Sequence, residues 1–357
     1  MSKPALAEGN IRDHYQPRAK VQADSTLPRQ GRADPMPRRF ARTDPSVSVV
    51  LSYVNSARTL GRCLDCILAQ DYPDYNVTVV DGGSSDGSES IAMTRASPKL
   101  SFKTVEGCSE SAGQSYGVSL TSSEVIMFTN SDIYVPRDWI RRHVTWLKNG
   151  YDLVGGRVFW GGDKFALTWN MPKPEGPRFM QEQGLGLGFS NCSVTRAKFE
   201  HIGGLRDMRS QHDTEFAFRL VKSGGRMVLD PEIEVYHDHP FRSFTGSFRR
   251  SFGYAVNHVL VMRAVFGRIV TGSGSPTMLP LGALIREWTC RSGIRAYRES
   301  NPRAIREGIV LGLPEFLFIR LFSTKLGQMA GVFAGAVRRK AALRSVLNLH
   351  SRLEKTR

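Results

Sequence analysis

Three short polar stretches, far apart in the chain, carry residue types that can handle a nucleotide and a cation. Asp81-Gly-Gly-Ser-Ser-Asp-Gly87 sets two carboxylates among glycines. A carboxylate at a strand tip accepts hydrogen bonds from a base or ribose, and glycine lets the backbone come close. The same string is also ordinary turn chemistry. Asn130-Ser-Asp132 offers a carboxylate at Asp132 and an amide carbonyl at Asn130. Hard cations such as Mg²⁺ or Mn²⁺ take such oxygens, although the trio also serves as a strand-end cap without any metal. Asp213, in Gln211-His-Asp-Thr-Glu215, stands just before a helical stretch, where a carboxylate is either an N-cap or a general base. His237 and His239 follow a strand-like run. A neutral imidazole there can be a further metal ligand, but a His-X-His pair more often packs or sits at the surface. Cys63 and Cys66 have C-X-X-C spacing, yet no second Cys/His pair lies suitably placed, and Cys63 falls on the apolar stripe of a helix. Cys63 therefore reads as core.

The elements that must position these residues follow from hydrophobic periodicity. Residues 47–53 form a β-branched buried strand. Residues 59–69 have helical spacing, with Leu60, Cys63, Leu64, Ile67 and Leu68 on one stripe, and Pro73 beyond. Strands are predicted at 76–80, 102–105 and 124–129, with helices starting at Ser88 and spanning 111–120. Such alternation implies a parallel, doubly wound sheet, in which ligands bind beyond the carboxyl ends of the strands. Tyr53, Asp81 and Asp132 all fall at that edge. Further along, the pattern predicts helices at 139–147, 195–202 and 214–223. It predicts strands at 153–159, 227–229 and 234–236, and a loop over 160–187.

A chain of 357 residues with 41% hydrophobic content can bury a large core. Five cysteines make no disulfide framework, which points to a reducing compartment. Residues 1–46 are polar, with 9 basic and 5 acidic side chains, and read as a disordered segment without an apolar leader. Residues 47–239 hold 20 basic and 23 acidic side chains, whereas 240–357 hold 20 basic and only 5 acidic. A near-neutral domain is thus followed by a basic, partly amphipathic helical region that seeks an anionic surface. Residues 308–337 are apolar but interrupted by Pro314, Arg320 and Lys325, which suits helices lying in a membrane interface better than a span. Arg338-Arg-Lys340 would then meet anionic headgroups, at about 1 kcal/mol per basic residue. Nucleic acid is not an expected partner, because the basic residues lie outside the motif-bearing part and no binding motif occurs.

Taken in order, the motifs of residues 47–239 resemble glycosyltransferase family 2. Val47 through Asn55 is similar to the family's opening strand, and Leu60 through Pro73 to the helix after it. Val79-Val-Asp-Gly-Gly-Ser-Ser-Asp-Gly87 resembles the family's VVDGGSTDG segment, the most specific match. Ser111 through Gly117 resembles its ARN-G helix, with Gln114 in place of Arg. Gly188 through Arg196, and then Gly203 through Asp207, resemble the acceptor-side segment and the turn that follows it. His212 through Leu220 is similar to the family's E-D helix, with His212 for Glu, and Pro231 through His237 to its closing segment.

The resemblance implies a GT-A type α/β fold: a Rossmann-like mixed, mostly parallel sheet with helices on both faces, plus the basic helical C-terminal extension. It implies an inverting transferase that moves a sugar from a nucleotide-diphosphate donor to a glycan or lipid-linked acceptor. Tyr53, Asn55, Asp81, Asp86, Gln114 and Ser131 would hold the donor. Asp132, Asn130 and His237 would hold a divalent metal, Mn²⁺ or Mg²⁺, and Asp213 would be the base. The expected place of action is cytoplasmic, peripheral at the inner face of a membrane. Asn130, where a carboxylate is expected, keeps open a relative that binds nucleotide-sugar without turnover. A sugar-phosphate nucleotidyltransferase would need a basic, Gly-rich loop after the first strand, and Tyr53-Val-Asn-Ser-Ala57 does not provide one.

Overall fold

The computed structural model describes residues 40, 43–167, 169–170, 176–180, 187–208, 210–266, 326 and 330. The expectations for residues 1–39 and for nearly all of 267–357, Cys290 and the basic cluster at 338–340 included, lie outside the described residues. Strand β1 (Val47–Tyr53) is buried at every position, as its β-branched run requires of a strand covered on both faces. Helix α1 (Leu60–Leu68) buries Leu60, Cys63, Leu64 and Ile67. Next come β2 (Tyr75–Asp81), α2 (Ser88–Met93), β3 (Leu100–Thr104), α3 (Glu110–Ser119) and β4 (Val125–Phe128). Strands β1, β2, β3 and β4 pair in parallel. The β1–β2 register sets Tyr53 beside Asp81, and Val50 pairs with Phe128. Residues 129–132 therefore leave the sheet on the same carboxyl edge.

The second half of the sheet is mixed. It comprises β5 (Ile133–Tyr134), β6 (Leu153–Gly161), β7 (Arg178–Met180), β8 (Cys192–Thr195) and β9 (Met227–Asp238), with helices α4 (Trp139–Lys148), α5 (Lys164–Leu167), α6 (Arg196–His201) and α7 (His212–Lys222) around them. A last described helix, α8 (Phe244–Phe266), follows β9. The sheet order is β3-β2-β1-β4-β8-β6-β9-β5, with β7 also on β9. Alternate residues of each strand feed two cores. One includes Leu60, Ile67, Trp139 and Ile140 of α1 and α4; the other includes Val118, Phe199 and Phe216 of α3, α6 and α7. Helix α3 lies unusually close to β1. A Cβ on Gly113 would stand 2.1 Å from Ser52 Oγ, and one on Gly117 2.6 Å from Val50 Cγ1, so only glycine fits.

Two strands predicted at 227–229 and 234–236 are one, β9. Its register against β6 shifts where Gly156 faces Asp230 and the next residue, Arg157, faces Glu234. The extra residues accommodate Pro231, which cannot donate to a ladder. The bulge leaves two carbonyls to satisfy, and Asn191 Nδ2 donates to both: Arg157 O at 3.0 Å and Ile233 O at 2.8 Å. Asn191 Oδ1 in turn accepts from Trp139 Nε1 at 2.8 Å and bonds His143 Nε2 at 3.0 Å. A Cβ on Gly156 would stand 2.1 Å from Ile233 O and 2.2 Å from Asn191 Nδ2, so glycine makes room for the amide. The predicted loop over 160–187 in fact contains the end of β6, α5 and β7.

Burial lowers the His143 ring from 6.5 to about 4, against the raising effect of its Asn191 bond. The unfolded chain therefore binds a proton between those values that the native protein does not, and stability rises with pH across that window. Full stabilisation holds above about pH 6.5 and is lost on acidification towards pH 4, on the order of 3 kcal/mol from this one group. Urea midpoints measured across the window will show this slope in the wild type and a flatter one in His143→Leu.

Candidate active site

The residues expected to hold the donor lace two loops together at the carboxyl edge. Asp81 is buried, and its Oδ1 accepts from Gly83 N (3.0 Å), Ser84 N (2.8 Å) and Ser84 Oγ (2.8 Å). Asn55 takes a positive φ of 53°. Its N donates to Ser84 Oγ at 2.8 Å and its Oδ1 accepts from Ser85 N at 2.9 Å. Asp86 Oδ2 accepts from Ala57 N at 2.9 Å, and Oδ1 from the N and Oγ of Ser88. Desolvation, which would raise the Asp86 carboxyl, is outweighed by the Ser88 and Ala57 bonds, which hold it below its ordinary value. Ser56 Oγ meets Ser131 Oγ at 2.7 Å, which joins these loops to the segment carrying Asp132. Tyr53 lies beside Asp81; burial and then the neighbouring carboxylate push its phenol up. Gln114 is fully buried within α3, with neither amide atom hydrogen-bonded.

Asp132 is the centre of a second group. Its Oδ2 is 3.1 Å from His237 Nε2 and 2.9 Å from His239 Nδ1. Burial would raise its carboxyl, but the two imidazoles, His237 foremost, hold it far below the usual carboxylate range. The ligand atoms of Asp132, His237 and His239 lie within 4.8 Å of one another. Strand pairing makes this cluster: Ile133 pairs with His237, and Asp238 N donates to Asp132 O at 2.8 Å. Alternation along the strand then brings His239 to the same face. Asp238 points the other way and is buried, bonded by Tyr134 OH at 2.9 Å and paired with Arg58 at 3.1 Å, which ties the β1–α1 loop to the end of β9.

Asn130, expected from the sequence as a further metal ligand, has its amide engaged by other partners here. Oriented to satisfy its neighbours, its amide donates to Glu110 Oε1 (3.3 Å) and Thr129 O (3.2 Å) and accepts from Ser190 Oγ (3.2 Å). The third group beside Asp132 and His237 is His239. Asp213 is not the helix cap either. Gln211 takes that position, in a left-handed conformation, and Asp213 lies in the first turn of α7, where its carboxylate accepts from Thr214 N at 2.7 Å. A first-turn carboxylate is favoured by the helix dipole. The helix itself is anchored through buried Glu215, paired with Arg219 at 2.6 Å. Arg219 also donates to Gly204 O at 2.8 Å.

Glu110, at the start of α3, is exposed to solvent. Desolvation raises its carboxyl; His212 and His237 lower it, while Asp213 and Asp132 raise it further. Asp132 and Asp213 thus both act electrostatically on the Glu110 carboxyl. Nothing in the sequence marks Glu110, which reads as an ordinary first-turn acid. The His-X-His spacing did mark His239. Cys63, buried as expected, donates its thiol to Asn130 O at 3.3 Å.

Residues 48–201 match the sequence model of Glycosyl transferase family 2. These residues belong to glycosyltransferase family 2. Over 122 residues the chain is 32% identical to glycosyltransferase AglE of Haloferax volcanii, which covers 32% of this chain and 40% of AglE. Over 214 residues it is 22% identical to the uncharacterized glycosyltransferase EpsJ of Bacillus subtilis, covering 55% of this chain and 62% of that protein. The likeness thus spans about two fifths of AglE and somewhat under two thirds of EpsJ. Among solved structures, mannosyltransferase PcManGT from Pyrobaculum calidifontis, in complex with GDP-Man and Mn²⁺, superimposes with a TM-score of 0.54 at 18% identity, over 83% of this chain and 88% of that one. The fold of this family 2 domain is therefore of GT-A type, as its motifs implied.

The Asp81 bonds generate a direct test of loop bracing. Asp81→Ala leaves the Gly83 and Ser84 amides without their acceptor, and hydrogen exchange at those amides is expected to accelerate at least about tenfold, while β1 and β4 amides stay protected.

Proposed function

We propose that this chain is an inverting glycosyltransferase that moves a sugar from a nucleotide-diphosphate donor to an acceptor hydroxyl. The observation that carries the reading is the Asp132–His237–His239 cluster at the carboxyl edge of the sheet, with Asp132 and Asp213 both acting electrostatically on Glu110. The Ser56–Ser131 bond joins the segment that carries Asp132 to the Asp81 loop. Tyr53, Asn55, Asp81, Asp86 and Ser131 form the donor side of the reading, and Gln114 lies behind them in α3.

Carboxylate and imidazole ligands suit a divalent cation such as Mn²⁺, and the buried, unbonded His237 Nδ1 marks a ring that this structure leaves incompletely satisfied. Asp132 and His237 would hold the metal. When bound, such a cation neutralises charge on a diphosphate leaving group. The protein's own residues do the rest. Asp213, on the rigid first turn of α7, takes the proton of the acceptor hydroxyl as it attacks the anomeric carbon from the face opposite the nucleotide. Inversion follows from that single displacement, without a covalent enzyme intermediate. Holding donor and acceptor together supplies on the order of 7–11 kcal/mol of the barrier reduction.

The acceptor reading, a glycan or lipid-linked hydroxyl, is supported by the basic character of residues 240–357, which favours an anionic membrane surface. Among the described residues, no helix is long and apolar enough to cross a membrane.

A thermal-shift panel of nucleotide diphosphates and nucleotide-sugars, with and without Mn²⁺, tests donor binding. GDP-mannose belongs in it as the ligand of the fold neighbour PcManGT. Release of nucleotide diphosphate then separates a working transferase from a relative that only binds. Asp213→Asn is expected to keep donor binding and to lower transfer by about 10²-fold or more; retained transfer removes it as the base. Asp132→Ala is expected to abolish the Mn²⁺-dependent part of the shift, and an unchanged shift argues against its ligand role.

A further inference from the structure

Beyond the family-matched residues, α8 sends one side chain into the Asp132 cluster. Arg250 NH1 is 2.6 Å from His239 Nε2, and Arg250 NH2 donates to Tyr254 OH at 3.2 Å. Its guanidinium also lies over two aromatic rings, 5.2 Å from the Phe241 ring centre and 5.4 Å from that of Tyr254. Cation–π attraction to both rings adds to the hydrogen bonds that hold it in place.

A guanidinium only donates hydrogen bonds and keeps its protons. The His239 nitrogen facing Arg250 must then be an acceptor, with its lone pair outward. The ring's one proton is left on Nδ1, which lies 2.9 Å from Asp132 Oδ2. An imidazole nitrogen that carries a proton has no lone pair for a metal. The bond made by one ring nitrogen decides what the other can do. Metal-binding histidines ordinarily give their remote N–H to a carboxylate or carbonyl; Arg250, a donor, imposes the opposite arrangement on His239.

We propose that Arg250 is a positioning residue that withholds His239 from the metal. While α8 holds Arg250 in place, His239 acts as a hydrogen-bond donor to Asp132. His237 faces the same oxygen through Nε2 at 3.1 Å, but its Nδ1 has no partner and can take the proton. A divalent cation is therefore left with Asp132 and His237. When Arg250 leaves Nε2, the ring re-tautomerises and His239 becomes a third ligand. Seating of α8 and ligand number at the metal are thereby coupled. This deepens the metal reading given above and rests on it.

The test uses the full chain with Mn²⁺ as probe. Arg250→Met keeps the aliphatic stem and removes the donor. Pulsed electron paramagnetic resonance of bound Mn²⁺ counts coordinated imidazole nitrogens: one is expected in the wild type and two in Arg250→Met. Calorimetry is expected to show Mn²⁺ binding about tenfold tighter in Arg250→Met. Placing Arg250→Met in a His239→Ala background separates ligand recruitment from the loss of a nearby positive charge: the gain is expected to vanish, and its persistence overturns the proposal. Two nitrogens in the wild type, or equal counts in both proteins, also overturn it while leaving the metal reading intact. Absence of Mn²⁺ binding from both proteins removes the metal reading and this proposal together. Nitrogen-15 shifts of His239 in the metal-free wild type give a measurement that needs no variant: the Nδ1-protonated form is expected, and the Nε2-protonated form overturns the proposal.

Discussion

Where β9 slips past β6, two backbone carbonyls lose their ladder partners, and the Asn191 amide takes both. An unpaired buried carbonyl is costly, so this amide fixes the path of everything beyond the bulge. His143 and Trp139 of α4 bond the other end of the same side chain. Side chains from one helix, one strand junction and one bulge thus lock into a buried polar knot in which Asn191 uses both ends of its amide. The distal half of β9 leaves that knot with a defined register, and that register brings His237 opposite Ile133, next in the chain to Asp132.

Asp132 depends on this arrangement twice over. Its carboxylate would be unfavourable at such burial without the imidazoles, and the imidazoles arrive only because β9 pairs with the two-residue strand β5. The Arg58–Asp238 pair closes the same region from the other side. A buried carboxylate with a half-exposed arginine contributes little by itself to stability; its effect is to keep the β1–α1 loop against β9. The Asn55 and Asp81 loops and the Asp132 cluster are therefore braced through β1, β5 and β9 rather than through one continuous loop.

The parallel half of the fold was legible because its signals are local. The β-branched run at 47–53 and the apolar stripe of α1 need no distant partner to be recognised. The mixed half was harder. Pro231 breaks the strand pattern, and only the Asn191 bridge shows that β9 continues through it. Strand β5 is two residues long, below any periodicity. Among the candidate site residues, Asp81, Asp132, Asp213 and His237 stood out by type and position. The partners of the Asn130 amide were not legible, because they are Ser190, sixty residues on, and Glu110. Glu110 was missed because a first-turn acid looks the same in sequence whether or not distant carboxylates such as Asp132 and Asp213 act on it. Arg250 lay hidden in a basic helix, where one arginine reads like another until its partner is known.

The match to the family model ends at residue 201, but His212, Asp213, His237, His239 and Arg250 all come later. A module exchanged between relatives at the border of that match would carry the Asp81 loop and Asp132 away from these groups. Swaps meant to transplant donor preference should therefore cut no earlier than the end of α8, so that each graft keeps its carboxylate with the rings that grew up beside it.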